Sequence, residues 1–262
     1  MELHFMYFQD TITIYYMKQG IFDRFPQLKQ IPKEKFPKHV LIIPDGNGRW
    51  AQKMRQLPIF GHRQGMKIIK EVLDNLKDLP INTTTVWGFS ANNWKRQKKE
   101  VNSLMKLFES AIKENLPELM KNSTRFIHLG RKDRIPLSLI NTIEQAEKKT
   151  RQNTKRIFCL ALDFGGEDQE LRMLKEAQKL TKSVTITQKV ADKLRDGKGF
   201  IGPSDLIIRT SGEQRTSDLG WLERNAEFYS IPKLLPESTI KDFVNAIIDY
   251  SRRERRLGGR IS

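Results

Sequence analysis

The sequence predicts an α/β fold with a central, mainly parallel sheet surrounded by helices. Five apolar or β-branched runs of strand length stand at 39–43, 83–89, 124–129, 155–163 and 205–209. Stretches with helical periodicity at 64–78, 100–121, 138–152, 167–182 and 238–256 lie between or after them, with a weaker one at 187–196. Parallel strands need long crossovers, and helices of this length supply them. The first run also stops at Pro44, which cannot donate to a ladder, and opens into an acid, a glycine-rich turn and a base. Open α/β sheets place their ligands at such strand ends.

Taken in order, residues 1–38 read as an N-terminal extension. Phe5, Met6, Phe8, Ile12, Tyr15 and Tyr16 can share one side of an amphipathic helix, although Thr11 to Tyr16 also fits extended chain. Pro26, Pro32 and Pro37 interrupt the chain before the first run. Residues 39–262 read as one large domain. Val40 to Ile43 suffices for a buried strand, and Asp45-Gly46-Asn47-Gly48-Arg49 follows it. The two glycines let backbone approach a ligand, and the amides of the next helix can face an anion. Asp45 suits a divalent cation and Arg49 a phosphate. The same window fits an ordinary strand–turn–helix with Asp45 as N-cap.

Gly61-His62-Arg63-Gln64-Gly65 precedes the helix expected at 64–78. A His-Arg pair at a helix start can contact a diphosphate, and a lone histidine equally suits a core or a surface. The second run gives way to Ser90-Ala91-Asn92-Asn93-Trp94-Lys95-Arg96, either a second edge of the same pocket or a turn rich in Asn and Ser. On 100–121, residues including Val101, Leu104, Met105, Phe108, Ile112, Leu116 and Leu119 form one apolar face. Core packing explains that face, and so does the wall of an apolar channel. The fifth run ends in Arg209-Thr210-Ser211-Gly212-Glu213-Gln214-Arg215-Thr216-Ser217. Arginine's planar fork grips phosphate oxygens in pairs, and serine adds a donor. Three such turns after three parallel strands can converge on one edge. The basic tail, Arg252 to Arg260, holds Gly258-Gly259, whose amides can close on an anion.

Composition narrows the partners. The net charge of +16 fits nucleic acid, anionic lipid or a polyanionic small substrate, and no recognised nucleic-acid module accompanies it. The single cysteine, Cys159, rules out an internal disulfide and a cysteine-rich zinc site, and its apolar run predicts a buried, inert thiol. There is no apolar run of about 18 residues, so no spanning helix is expected. Glu2 and Asp10 interrupt the N-terminal apolar stretch, and no basic region precedes it, so a cleaved signal peptide is not expected either.

In order, the motifs HVLIIPDGNGRWA, FGHRQG, GFSANNWKR, DFGG, DLIIRTSGEQRTS, Trp221…Glu227-Phe228-Tyr229 and RERRLGG run from His39 to Gly259. This series resembles the cis-prenyltransferases, the undecaprenyl diphosphate synthase family. The resemblance implies a parallel six-stranded sheet wrapped by helices around an apolar tunnel, and a homodimer; a cytoplasmic location is expected, and the N-terminal aromatic residues with the basic surface suit either peripheral membrane contact or a dimer-stabilising helix. It also implies a reaction. An allylic diphosphate, typically farnesyl diphosphate, is extended by isopentenyl diphosphate with new cis double bonds and magnesium (Mg2+), giving a polyprenyl diphosphate, the precursor of a lipid carrier.

By the same resemblance, Asp45 handles magnesium and diphosphate. Gly46, Asn47, Gly48, Arg49 and Trp50 belong to the allylic-diphosphate motif, with Asn47 also a candidate for proton removal. His62 lies beside that diphosphate. Ser90, Asn93, Trp94 and Arg96 match a mobile loop that organises both substrates, Asn93 being a further catalytic candidate. Arg209, Arg215 and Ser217 match the isopentenyl diphosphate clamp. Glu227 matches a glutamate assisting magnesium or the dimer contact, and Arg256 with Gly258 an Arg-x-Gly ending that reaches the partner subunit's active site. Pro44, Asn92, Asp163 and Glu167 depart from the bacterial pattern. So does Pro58, which stands where some relatives carry a phosphate-binding arginine that Arg55 or Arg63 can replace. Phe108 and Phe158 are candidate tunnel plugs. A short or irregular product is the alternative reading. A non-catalytic partner subunit is a weaker one, because such subunits have typically lost the aspartate kept here.

Overall fold

Every residue of the first apolar run is buried, as a strand covered on both faces requires. The computed structural model describes residues 20–181 and 183–256. Within them, β1 (His39–Ile43), β2 (Thr83–Ser90), β3 (Thr124–Leu129), β4 (Arg156–Phe164), β5 (Leu206–Arg209) and β6 (Glu227–Ser230) form one sheet in the order β3-β4-β2-β1-β5-β6. All pairings are parallel. The helices are α1 (Ile21–Arg24), α2 (Asn47–Lys53), α3 (Pro58–Leu76), α4 (Lys98–Lys121), α5 (Leu137–Thr150), α6 (Gly166–Gln178), α7 (Gln188–Leu194) and α8 (Ile240–Arg252).

Side chains alternate across the sheet. Val40 and Ile42 of β1 join the core that includes Val72, Leu104, Phe108 and Phe243. Leu41 and Ile43 join the opposite core, with Trp87, Ile207, Leu219 and Leu222. Cys159 is fully buried in this second core, and burial pushes its thiol up to about 12, as an inert group requires. Ile21, Leu28 and Phe36, from the segment expected as an extension, are buried in the first core. The amphipathic stretch within residues 1–17 lies outside the described residues.

Two local expectations need correction. The helix expected at 64–78 begins at Pro58, so His62 and Arg63 sit within α3 rather than in a turn before it. Proline suits the first helical position, where no N–H bond is lost. A separate short helix, α2, fills the stretch after the glycine-rich turn. The sixth strand had no apolar run to mark it, since all four of its residues are only half-buried.

Candidate active site

The chain leaves β1 toward β2 on one side and β5 toward β6 on the other, so the carboxyl ends of β1 and β5 flank a topological switch point. Arg209 is the last residue of β5 and pairs in register with Ile43 of β1. Asp45 follows two residues later. Its Oδ2 accepts a hydrogen bond from Arg209 Nη2 at 2.9 Å, and its Oδ1 one from Arg49 Nη2 at 3.1 Å. Arg209 Nη1 donates to Ser217 Oγ at 2.7 Å and to the Arg215 carbonyl at 2.5 Å. Arg49 also lies 3.2 Å from Glu213, which in turn pairs with Arg215. Charges therefore alternate along Arg209, Asp45, Arg49, Glu213 and Arg215. Partial burial opposes ionisation of Asp45, but the hydrogen bonds from Arg209 and Arg49 outweigh it and hold the carboxyl below the usual carboxylate range.

Backbone packing fixes the turn. Gly46 has φ 101°, and a Cβ there would stand 2.3 Å from Ser211 Oγ. The buried Thr210 hydroxyl donates to the Asp45 carbonyl at 2.7 Å and accepts from the Asp45 amide at 2.8 Å, clamping β1 to β5. A Cβ on Gly61 would come within 2.0 Å of the Asn47 carbonyl, and one on Gly65 within 2.1 Å of Asn47 Oδ1. The glycines of the FGHRQG motif thus seat α3 against α2. A Cβ on Gly48 would have nothing within 4 Å.

A cavity of about 770 Å3 opens at this edge and runs between the sheet and helices α3 and α4. Asp45, Asn47, His62, Ser90, Asn93, Arg96, Arg209 and Ser217 line it, so turns after β1, β2 and β5 converge as expected. Deeper in, Leu73, Val86, Leu104, Phe108, Ile112 and Leu160 form apolar walls. The apolar face of α4 therefore serves both core and channel. Phe158 lines the cavity as well, its ring 6.0 Å from that of Phe126. At the far end, Glu118 of α4 bridges Lys70 of α3 and Lys77 just past the end of that helix, each at 3.1 Å. β2 flanks the cavity along its eight residues, about 26 Å at ~3.3 Å per residue.

His62 is largely buried, with Nε2 3.7 Å from Glu100, whose carboxylate binds Arg96 at 3.0 Å. Burial, then the charge of Arg96, lower its pKa to about 4. Ser90 and Asn93 cap each other, the Ser90 amide donating to Asn93 Oδ1 at 3.0 Å.

Other expected site residues stand elsewhere. Trp94 does not line the cavity and turns its indole N–H to the buried Asp163 carboxylate at 2.8 Å. Trp50 is half-buried on α2 and also off the cavity. Arg215 is exposed and reaches the site through Glu213. Glu227 starts β6, level with Leu206 and three residues short of the Arg209 end, about 10 Å along the sheet. It pairs with Arg253 at 2.8 Å rather than standing beside Asp45. Arg256 is exposed and pairs with Glu254 at 3.3 Å, and Gly258 lies outside the described residues. Pro58 is taken up by the start of α3, and of its two candidate substitutes Arg63 lines the cavity. The sequence marks no site role for Glu213, Thr210 or Asp163. Glu213 stands in the RTSGEQR turn, where an acid between two arginines was a readable signal.

A family model described as "Putative undecaprenyl diphosphate synthase" matches residues 43–258. The Ditrans,polycis-undecaprenyl-diphosphate synthase ((2E,6E)-farnesyl-diphosphate specific) of Pasteurella multocida is 36% identical over 248 residues, covering 88% of this chain and 98% of its own. An isoprenyl transferase of Clostridium perfringens is 40% identical over 234 residues, covering 87% and 92%. Lavandulyl diphosphate synthase from Lavandula x intermedia, solved in complex with dimethylallyl diphosphate, superposes with a TM-score of 0.79 at 29% identity, covering 86% of this chain and 99% of its own. A probable undecaprenyl diphosphate synthase from Campylobacter jejuni shares the fold, with a TM-score of 0.69 at 24% identity, covering 85% and 98%.

Proposed function

The chain belongs to the undecaprenyl diphosphate synthase family of cis-prenyltransferases, and from that premise we propose that it joins isopentenyl diphosphate to farnesyl diphosphate at the Asp45–Arg209 crevice and grows the product into the apolar cavity. The placement of the Asp45–Arg209 pair at the mouth of that cavity carries this reading. The allylic C–O bond breaks, and its electron pair leaves with the diphosphate. The isopentenyl double bond supplies the pair for the new C–C bond, and loss of a proton sets the new double bond.

Each step asks something of these side chains. Arg209 and Ser217, with Arg215 nearby, present donors to one diphosphate, and Asn47 and Arg49 face the other. Asn47 Oδ1, buried and without a donor among the described residues, is available to steer the departing proton, which a diphosphate oxygen can accept. Leu104, Phe108 and their neighbours keep water from the allylic cation. Asp45 fits a magnesium ion, because it is an ionised oxygen donor at the mouth and the substrates' phosphate oxygens complete such a shell. Held there, the ion would supply positive charge against the leaving diphosphate.

A homodimer and a peripheral membrane position belong to the same proposal. Leu171 and Leu174, each 54% exposed on α6, offer an apolar face to a second copy. Exposed Met54, Leu57 and Phe60 beside Lys53 and Arg55 suit an anionic lipid surface. No helix among the described residues is long and apolar enough to cross a membrane. A second reading, a short or irregular product, draws support from the ion-paired far end of the cavity.

Radiolabelled isopentenyl diphosphate incubated with magnesium and geranyl, farnesyl or geranylgeranyl diphosphate tests the proposal. Best incorporation with farnesyl diphosphate and a long product supports it. No incorporation with any starter refutes it, and a product ended after one condensation selects the second reading.

A further inference from the structure

The residues of the Ser90–Arg96 segment face two ways. Ser90, Asn93 and Arg96 line the cavity, whereas Trp94, between the last two, turns away from it. Its ring packs edge-on against Phe89, with centroids 5.2 Å apart at 76°. Its Nε1 donates to Asp163 Oδ1 at 2.8 Å. Asp163 is fully buried near the end of β4. Arg134, from the connection between β3 and α5, donates Nε to Asp163 Oδ2 at 2.8 Å and Nη2 to Oδ1.

The backbone holds this carboxylate in place. Asp163 has φ 55°, the left-handed region that non-glycine residues rarely adopt. Its carbonyl accepts from the Arg131 amide at 3.1 Å, and a Cβ on Gly130 would stand 2.8 Å from that carbonyl oxygen. Asp163 is thus an anchor set by β3 and β4, and Trp94 is what it holds.

We propose that Asp163 is a positioning residue for the reaction, acting through the Trp94 indole to set where Asn93 and Arg96 stand at the cavity mouth. It does not line the cavity itself. Both oxygens of this side chain are needed as acceptors. A buried acceptor that serves both an indole N–H and an arginine must offer lone pairs on both oxygens, and an amide in its place turns one of them into a donor aimed at a donor. Release of Trp94 frees a five-residue turn, Ala91–Lys95, whose internal support is the Ser90–Asn93 cap. The inference rests on the reading that this segment serves the two diphosphate substrates.

Full-length Trp94→Phe, Asp163→Asn and the double variant test it, by steady-state kinetics with isopentenyl and farnesyl diphosphates and by limited trypsin cleavage mapped by mass spectrometry. Each single substitution should lower kcat/KM about tenfold, the loss of one hydrogen bond to a charged group. The double variant should lose no more than one single variant does. Cleavage after Lys95 and Arg96 should quicken in all three. Trp94→Phe keeps the ring against Phe89, so it carries the test if Asp163→Asn fails to fold. Additive losses overturn the proposal, as does a lower melting temperature with unchanged kcat/KM and cleavage. If the unaltered protein incorporates no isopentenyl diphosphate, the reading of the reaction falls and the trypsin comparison decides the anchor alone.

Discussion

The Arg209 guanidinium crosses from β5 to β1 and places Nη2 2.9 Å from Asp45 while Nη1 holds Ser217 at 2.7 Å. One planar group thereby joins the glycine-rich turn after β1 to the RTSGEQRTS turn after β5. A lysine is a point charge with one nitrogen and lacks the fixed fork that sets Nη1 and Nη2 on the two turns at once. Arg209→Lys should lower kcat/KM by on the order of 100-fold, the range for removing one preorganised donor from a transition state. Initial rates at varied isopentenyl diphosphate check this, and a loss confined to a few-fold would show that the fork is not needed.

The glycines of the first two motifs separate packing from ligand approach. In Gly65→Ala the new methyl meets Asn47 Oδ1 at 2.1 Å and Leu235 Cδ2 at 2.8 Å, so α3 must shift from α2. The expected cost is about 1–3 kcal/mol of stability, read by thermal unfolding, together with lost activity. Gly48→Ala meets no atom within 4 Å and should unfold as the unaltered protein does. If a diphosphate sits against Gly48, that variant raises the KM for the allylic substrate without changing the melting temperature.

Three histidines, His39, His62 and His128, have their pKa values lowered by burial and give the protein an acid-sensitive stability. Burial lowers His39 to about 4, against hydrogen bonds from its Nδ1 side to the Gly202 and Pro203 carbonyls, and burial lowers His62 to about 4. A base whose folded pKa lies below its unfolded value of 6.5 binds its proton more readily when unfolded. The neutral form therefore contributes full stability above pH 6.5, and that contribution declines as pH falls from 6.5 toward 4. For fully buried His39 the loss is about 3 kcal/mol. Melting temperatures should fall between pH 7.5 and pH 5, and His39→Gln should flatten the slope. A flat profile in the unaltered protein would contradict this.

Depth of the cavity should set product length at Glu118. Its hydrogen bond to Lys77, against a smaller opposing effect of burial and with Lys70 adding to it, takes the carboxyl down to about 2, so the bridge between α3 and α4 is charged at neutral pH. A hydrocarbon chain gains nothing by displacing such a bridge. Glu118→Leu should extend an apolar floor and shift the dephosphorylated products to longer chains on reversed-phase chromatography. An unchanged product distribution would place the limit elsewhere, with Phe108 and Phe158 the next side chains to test.

Much of this site was legible because its signals are local. The buried strand before Asp45, the turn after Arg209 and the Ser90–Arg96 turn each declare themselves within a few residues. What stayed hidden depends on distant partners. Trp94 turns from the cavity because Asp163, 69 positions away, accepts its N–H. Pro58 and Gly61 look like turn residues, yet the proline starts α3 and the glycine makes room for the Asn47 carbonyl. β6 is short, half-exposed and at the sheet edge, so no apolar run marks it. Glu227 stands in one of the motifs of the family series but begins a strand whose other end, at Ser230, is level with Arg209.

The central claim is that the ionised Asp45 carboxylate, held by Arg209 and Arg49, is required for condensation. Asp45→Asn keeps the shape of the side chain and removes its charge. Incorporation of labelled isopentenyl diphosphate onto farnesyl diphosphate in the presence of magnesium, measured beside the melting temperature, tests the claim most directly. The expected result is a loss of at least about 100-fold in turnover with the protein still folded. Turnover equal to that of the unaltered protein would contradict it.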